Sequence, residues 1–596
     1  MAKFGFIIIL ISGVIFFNSC SRKPELPAAE APVQSGKEEQ RMSKAYGAYI
    51  AGRVAHLRNN FNKAADYYIE TLQSDPDNPE LVSRVYLLLA SEGRIDEAAK
   101  YARISRQNGD NNNFINIILS VNDMKHGRYE EAGKAINSVN NPIYKNFINP
   151  LMTAWIYAGA GEADNALNAL EPLKKEPGFK ALYIFQAGMI NDYFGRNAEA
   201  ERLYGRIVTD ESAEMSFRSL QIITNFYLRN NQKEKAVRLV KKYNDEKLLA
   251  DMLEKLADNV QNADPAATQP ILTDANIGMA EALFRIAGTL RQGAAGIDLA
   301  HMFISMSIYS NPKYDLAKLL LADILENREM YAEANQVYDE IDKDSETYYT
   351  VQLKKANNYV MMEDYIPAEI LLKSMAAENP RSYQLFLDLG DLLRMRNKQD
   401  EAIKYYLQAI KKIPRLENQH WILFYALGVS YEQNEDWKKA ENSFKEAMKL
   451  SGNHYLVLNY LGYSWLKQGR NTEQAFGMIV DAYNQAPNDG HISDSLGWAF
   501  YQLGMYDQAI AYLEKAAEIE PANAVISDHL GDAYWFGGRK NEARFQWKHA
   551  LTMKDDSGEL SVKNVKNKIK NGLNEPRILS FNQATVDEKI KEITAE

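Results

Sequence analysis

The 596-residue sequence is short of reactive side chains. A single cysteine, Cys20, excludes a disulfide framework and every thiolate metal cluster, and eight scattered histidines leave little for a zinc site. Positive charge is outnumbered, 69 Lys and Arg against 79 Asp and Glu for a net −10, which argues against duplex nucleic acid or an anionic lipid surface as the main partner. There is no G-x-S-x-G, no H-E-x-x-H and no phosphate loop. Gly537-Gly538-Arg539-Lys540 lacks the leading glycine and trailing hydroxyl of such a loop and reads as a turn. The sequence therefore predicts a non-enzyme with no catalytic residue, metal or cofactor. What it has in quantity is 35 Tyr, 22 Phe and 7 Trp, the materials of packing and recognition.

Self-similarity organises the rest. In Tyr383 to Pro414, the residues Phe386, Leu389-Gly390, Leu393, Ala402, Tyr406, Ala409 and Pro414 fall at fixed offsets. Trp421 to Gly452, Gly490 to Pro521 and Ala524 to Ala550 repeat the offsets. This pattern resembles the tetratricopeptide repeat, a 34-residue helix-turn-helix. The small residue opening the second helix recurs as Ala64, Ala98, Ala132, Ala166, Ala200, Ala236, Ala300, Ala334, Ala368, Ala402, Ala440, Ala475, Ala509 and Ala543. Two helices approach closely only where Gly or Ala removes bulk, so Gly390 and Ala402 are expected to touch, with Leu389, Leu393 and Tyr406 packing between neighbouring pairs. Each pair covers its other apolar face by stacking on the next. The predicted fold is all-α, a superhelical solenoid of about fourteen repeats with a long inner groove.

The sequence opens on Lys3 and the apolar run Phe4 to Phe17, about 21 Å as a helix and short of the ~30 Å hydrocarbon core. Ser19-Cys20-Ser21 resembles a bacterial lipobox, although Phe17 and Asn18 stand where an aliphatic and a small residue are usual. The resemblance implies acylation of Cys20, removal of residues 1–19 and sorting to the outer membrane, with the body in the periplasm. Residues 20–44 read as a disordered tether, with a reach of about 27 Å over its last 24 residues.

The pattern breaks between Ala236 and Ala300, where an extra helix, roughly 245–260, and the loop Asn262 to Pro270 are expected. A boundary near residue 270 then divides an N-terminal array, 45–270, with six repeats, from a C-terminal array, 271–552, with eight. Residues 553–596 read as a polar, partly helical tail whose Leu560 to Gly572 stretch, with Lys563, Lys566, Lys568 and Lys570, forms a solvated cap.

First helices of the repeat face inward, and the inward positions are Asn459, Tyr463 and Lys467, then Asp494, Trp498 and Tyr501, then Asp528, Asp532 and Trp535. Aromatic faces interleaved with carboxylates and an amide suit a protein segment with basic side chains. Asp528, His529 and Asp532 have the i, i+4 spacing of ligands on one helix face but are assigned to the groove lining instead of a metal. The runs Leu458 to Tyr463, Asp494 to Trp498 and Asp528 to Trp535, with the leader, resemble large tetratricopeptide-repeat outer-membrane lipoproteins of Gram-negative bacteria. That resemblance implies an adaptor that holds a periplasmic C-terminal-processing serine protease and presents cell-wall hydrolases to it. The alternative is a pilotin-like lipoprotein for envelope assembly or export.

Overall fold

Helices of about 13 residues are marginal in isolation, so this sequence must bury them in pairs. The computed structural model describes residues 35–594 apart from 143, 176, 210–214, 244–249, 292–295, 556–559 and 577. Cys20, the leader and residues 20–34 lie outside the described residues. Every regular element among the described residues is helical; thirteen helix pairs pack within themselves, six before the extra helix Ala250–Asn262 and seven after it, while the helices Asp315–Glu326 and Tyr331–Asp339 belong to different units. All fourteen predicted alanines sit in second helices and are fully buried.

The first-helix glycine approaches the second-helix alanine closely at Gly497 and Ala509 and at Gly531 and Ala543, the spacing of Gly390 and Ala402, and a side chain one turn later closes on it too. Gly390 faces the ring of Tyr406 in its own pair, and the same sixteen-residue spacing brings Gly52 to Tyr68, Gly188 to Tyr204, Gly428 to Phe444 and Gly531 to Trp547. Tyr406 thus fills the space that its own Gly390 leaves, while Tyr204 and Phe444 at the same position also lie against rings of the following pair, Phe226 at 5.2 Å and Tyr460 at 5.1 Å. The turn within a pair is closed by a left-handed residue at the repeat spacing, glycine at Gly93, Gly127 and Gly161, asparagine at Asn59 and Asn397, and glutamate at Glu363 and Glu435. A side chain at positive φ costs of order 1 kcal/mol, which glycine avoids.

The chain divides at Arg328/Glu329, not near residue 270. The first helix starts at Ser35, so residues 35–44 of the expected tether are helical. In unit 1 (up to Arg328), the pair Ala275–Leu290 and Ile297–Ser310 does not extend the stack. It crosses the inner face of the six preceding pairs. Gly278 lies against the indole of Trp155, Ser305 Oγ donates to Ser91 O at 2.6 Å, and Lys125 Nζ donates to Ser310 O at 2.9 Å. Tyr309 OH donates to Asp96 at 2.7 Å. Glu281, fully buried, accepts from Arg218 Nε at 2.7 Å and Tyr314 OH at 2.6 Å, and the Arg218 guanidinium lies 4.7 Å from the Tyr314 ring. The cause is composition: both helices carry buried residues on every side, including the run Ala300 to Ser307, as a helix enclosed by others requires. The trough expected in this half is filled by the protein's own chain.

Unit 2 (from Glu329) stacks in sequence order through Ala550, with Leu389, Tyr406, Phe444, Phe476, Phe500 and Trp547 in its core. Two tail helices follow, Val562–Asn571 and Gln583–Thr594. Val565, Leu579 and Val586 are buried, so the tail is part of the packed unit.

Candidate functional site

Three consecutive first helices of unit 2, Tyr455–Gln468, Gly490–Gln502 and Ala524–Phe536, are each started by a cap. The side chains of His454, Asp489 and Asn523 accept from the first free backbone amides. This fixes their register, and side chains four residues apart then share one face. Between them opens a pocket of about 400 Å³ lined in part by Asn459, Tyr463, Lys467 and Asp494, so the structure brings four of the nine predicted residues together. Glu432, His491, Ser495, Glu520, Asn523 and, from the chain beyond the last pair, Lys554 and Asp555 also line it. Lys467 is exposed, and Asn459 Oδ1 is shielded from solvent with no hydrogen-bond partner.

The next two predicted residues, Trp498 and Tyr501, do not line the pocket. Trp498 stacks on Tyr501, with centroids 4.7 Å apart, and on His529 at 4.1 Å. His529 Nδ1 is 2.9 Å from Asp494 Oδ1. Burial alone would lower the imidazole pKa, but the Asp494 carboxylate outweighs it and raises the value above 6.5. Burial also pushes the Tyr501 phenol up. These rings pack among themselves, so Trp498 does not offer the free aromatic face that the sequence pattern implied.

The last three predicted residues are covered by the tail. Lys568 Nζ sits 2.8 Å from both Asp528 Oδ2 and Asp532 Oδ2, Trp547 Nε1 donates to Asp532 Oδ1 at 2.8 Å, and Trp535 Nε1 donates to Leu573 O at 2.9 Å. Gly572, at φ +74, lies flat on the Trp535 indole where any Cβ would collide. Burial pushes the Asp532 carboxyl up to about 6, against the opposing pull of Lys568. A lysine ammonium thus occupies the position between two carboxylates that the i, i+4 spacing offers a cation. Beyond it, Leu579 N donates to Gln502 O at 2.9 Å and Lys589 pairs with Asp481 at 2.9 Å. Sequence reading placed the tail helix as a solvated cap and missed that Lys568 turns inward. The signal was Val565 and Ile569, four apart beside Lys568 in an otherwise polar helix.

No helix among the described residues is long and apolar enough to cross a membrane. Tetratricopeptide-repeat family models match residues 425–487 and 494–523. The chain is similar to the TPR repeat-containing protein PA4667 of Pseudomonas aeruginosa, 26% identical over 165 residues, covering 28% of this chain and 27% of the relative. It is similar to anaphase-promoting complex subunit 3 of Schizosaccharomyces pombe, 23% identical over 222 residues, covering 36% and 31%. The chain thus spans about a quarter to a third of the length of these curated relatives. The APC/C Cut9–Hcn1 hetero-tetramer structure aligns over 91% of this chain and 99% of that one, at 14% identity and a TM-score of 0.36. By its own helix pairs and these family matches, the protein is an all-α chain that carries tetratricopeptide repeats.

Proposed function

We propose that the chain is a non-catalytic scaffold that holds an extended protein segment in the unit 2 groove. The observation that carries this reading is the pocket over Asn459, Tyr463, Lys467 and Asp494, with an unpartnered amide oxygen in its wall and carboxylates around it. The Asn459 side-chain amide suits a peptide backbone, and basic side chains suit Glu432, Asp494 and Glu520. Lys568 lodged between Asp528 and Asp532 illustrates how this surface receives an ammonium. In this reading the body hangs in the periplasm from acyl chains on Cys20 at the outer membrane. It gathers a C-terminal-processing protease and the cell-wall hydrolases that the protease cuts.

Crosslinking in cells followed by affinity capture tests it. The expected result is recovery of a protease and a hydrolase with the intact chain, loss of both with Asn459→Ala plus Asp494→Ala, and hydrolase accumulation on deletion. Recovery of neither, with hydrolase levels unchanged on deletion, contradicts the adaptor. Recovery unchanged by the double substitution moves the site elsewhere.

A further inference from the structure

The first helix, Ser35–Leu57, is built the reverse of an ordinary array helix. Its small residues Ala48, Gly52 and Ala55 face the second helix, with Gly52 against Tyr68. Its large apolar residues point away from the array: Met42, Tyr46, Ile50, Val54 and Leu57 are all exposed, Tyr46 by 66%, Ile50 by 62% and Leu57 by 77%. They form one stripe at helical spacing, about 22 Å long. A terminal repeat normally turns a polar face to solvent, so a stripe of this length requires a cover.

We propose that this stripe lies on an anionic phospholipid surface. Charge supports it: residues 35–74 carry six Lys or Arg (37, 41, 44, 53, 58 and 63) against four acids (38, 39, 66 and 70), net +2 in a chain of net −10. Arg53 is exposed within the stripe, between Ile50 and Leu57, and has no acidic partner among the described residues. In a bilayer interface its stem lies along the apolar boundary while the guanidinium reaches phosphate. Against a second copy of the chain, the same side chain would be buried facing apolar residues without a counter-charge. Position also supports it, because Cys20 is fifteen residues before Ser35, at most about 50 Å of chain. If Cys20 is acylated as proposed above, the helix is delivered to the bilayer, and the lipid and the stripe supply two weak signals that together hold.

The chain from Ser21 onward, which lacks the acyl site and keeps every described residue, tests this independently of acylation. Co-sedimentation is compared on vesicles of phosphatidylglycerol with phosphatidylethanolamine and on vesicles of phosphatidylcholine. Binding to the anionic vesicles is expected to be about tenfold tighter or more, and Ile50→Glu is expected to lower it at least tenfold without changing the melting temperature. Arg53→Glu, which leaves the apolar stripe intact, is expected to remove most of the anionic preference. A Tyr46→Trp probe is expected to blue-shift on the anionic vesicles. Absence of binding, or binding indifferent to Ile50→Glu, overturns the proposal. A dimer abolished by Ile50→Glu with no vesicle binding also overturns it and assigns the stripe to a second copy. Loss of the acyl group in cells with vesicle binding intact would overturn the anchor alone.

Discussion

Unit 1 and unit 2 are built from the same helix pair and differ in what occupies the inner face. In unit 1 the pair Ala275–Ser310 crosses it, tied by Glu281, Ser305 and Tyr309 to elements far apart in sequence. In unit 2 the first helices keep an open pocket at Asn459 to Asp494, and only its neighbouring end, at Asp528 to Trp535, is covered by the tail. Equal repeats therefore do not make equal binding surfaces. An inserted or trailing segment decides which part of the groove faces the compartment.

The largest effect that separates the units is expected at Glu281→Ala, which leaves Arg218 buried without its counter-charge. Unit 1 should lose about 3–5 kcal/mol, read as an earlier melting transition, with capture at the unit 2 pocket preserved at low temperature. Gly278→Leu, pushed into the Trp155 ring, should cost unit 1 about 1–3 kcal/mol and raise amide exchange across 275–310. In unit 2, Trp498→Ala should cost roughly 1–3 kcal/mol in denaturant titration, because the ring is sandwiched by Tyr501 and His529. That would mark it as a packing residue. Asn459→Ala should change stability by less than about 0.5 kcal/mol while weakening capture, the opposite profile.

The pH dependence sharpens the same contrast. Asp532 titrates near 6 when folded against an ordinary 3.8, so its contribution to unit 2 stability falls as pH rises between these values. The raised His529 contribution is fully present below 6.5 and is lost as pH climbs through its folded pKa. The two act in the same direction. Replacing them together, Asp532→Asn with His529→Gln, should flatten the decline of the unit 2 melting temperature from acid to neutral pH, whereas unit 1 is unaffected.

The sequence made the repeats legible because each marks its own physics. The alanine of every second helix is fully buried. The extra helix and the loop before Asp274 were readable for the same reason. The unit boundary was not, because periodicity reports the pairing within a repeat but not where that pair is placed. Ala300 obeys the repeat spacing while its helix is enclosed on all sides, and only the apolar run around it distinguishes the two cases. Likewise Asn459, Tyr463, Lys467 and Asp494 followed from first-helix spacing, whereas the cover over Asp528, Asp532 and Trp535 comes from residues about forty positions later. No local pattern encodes that return.

The difference in access between the two inner faces is measured most directly by site-specific photocrosslinking in cells. A photoreactive residue in place of Tyr463, in the unit 2 pocket, is predicted to capture a foreign protein, and one in place of Tyr309, on the pair that fills unit 1, to capture only the chain itself. Foreign adducts at Tyr309, or their absence at Tyr463, would contradict it.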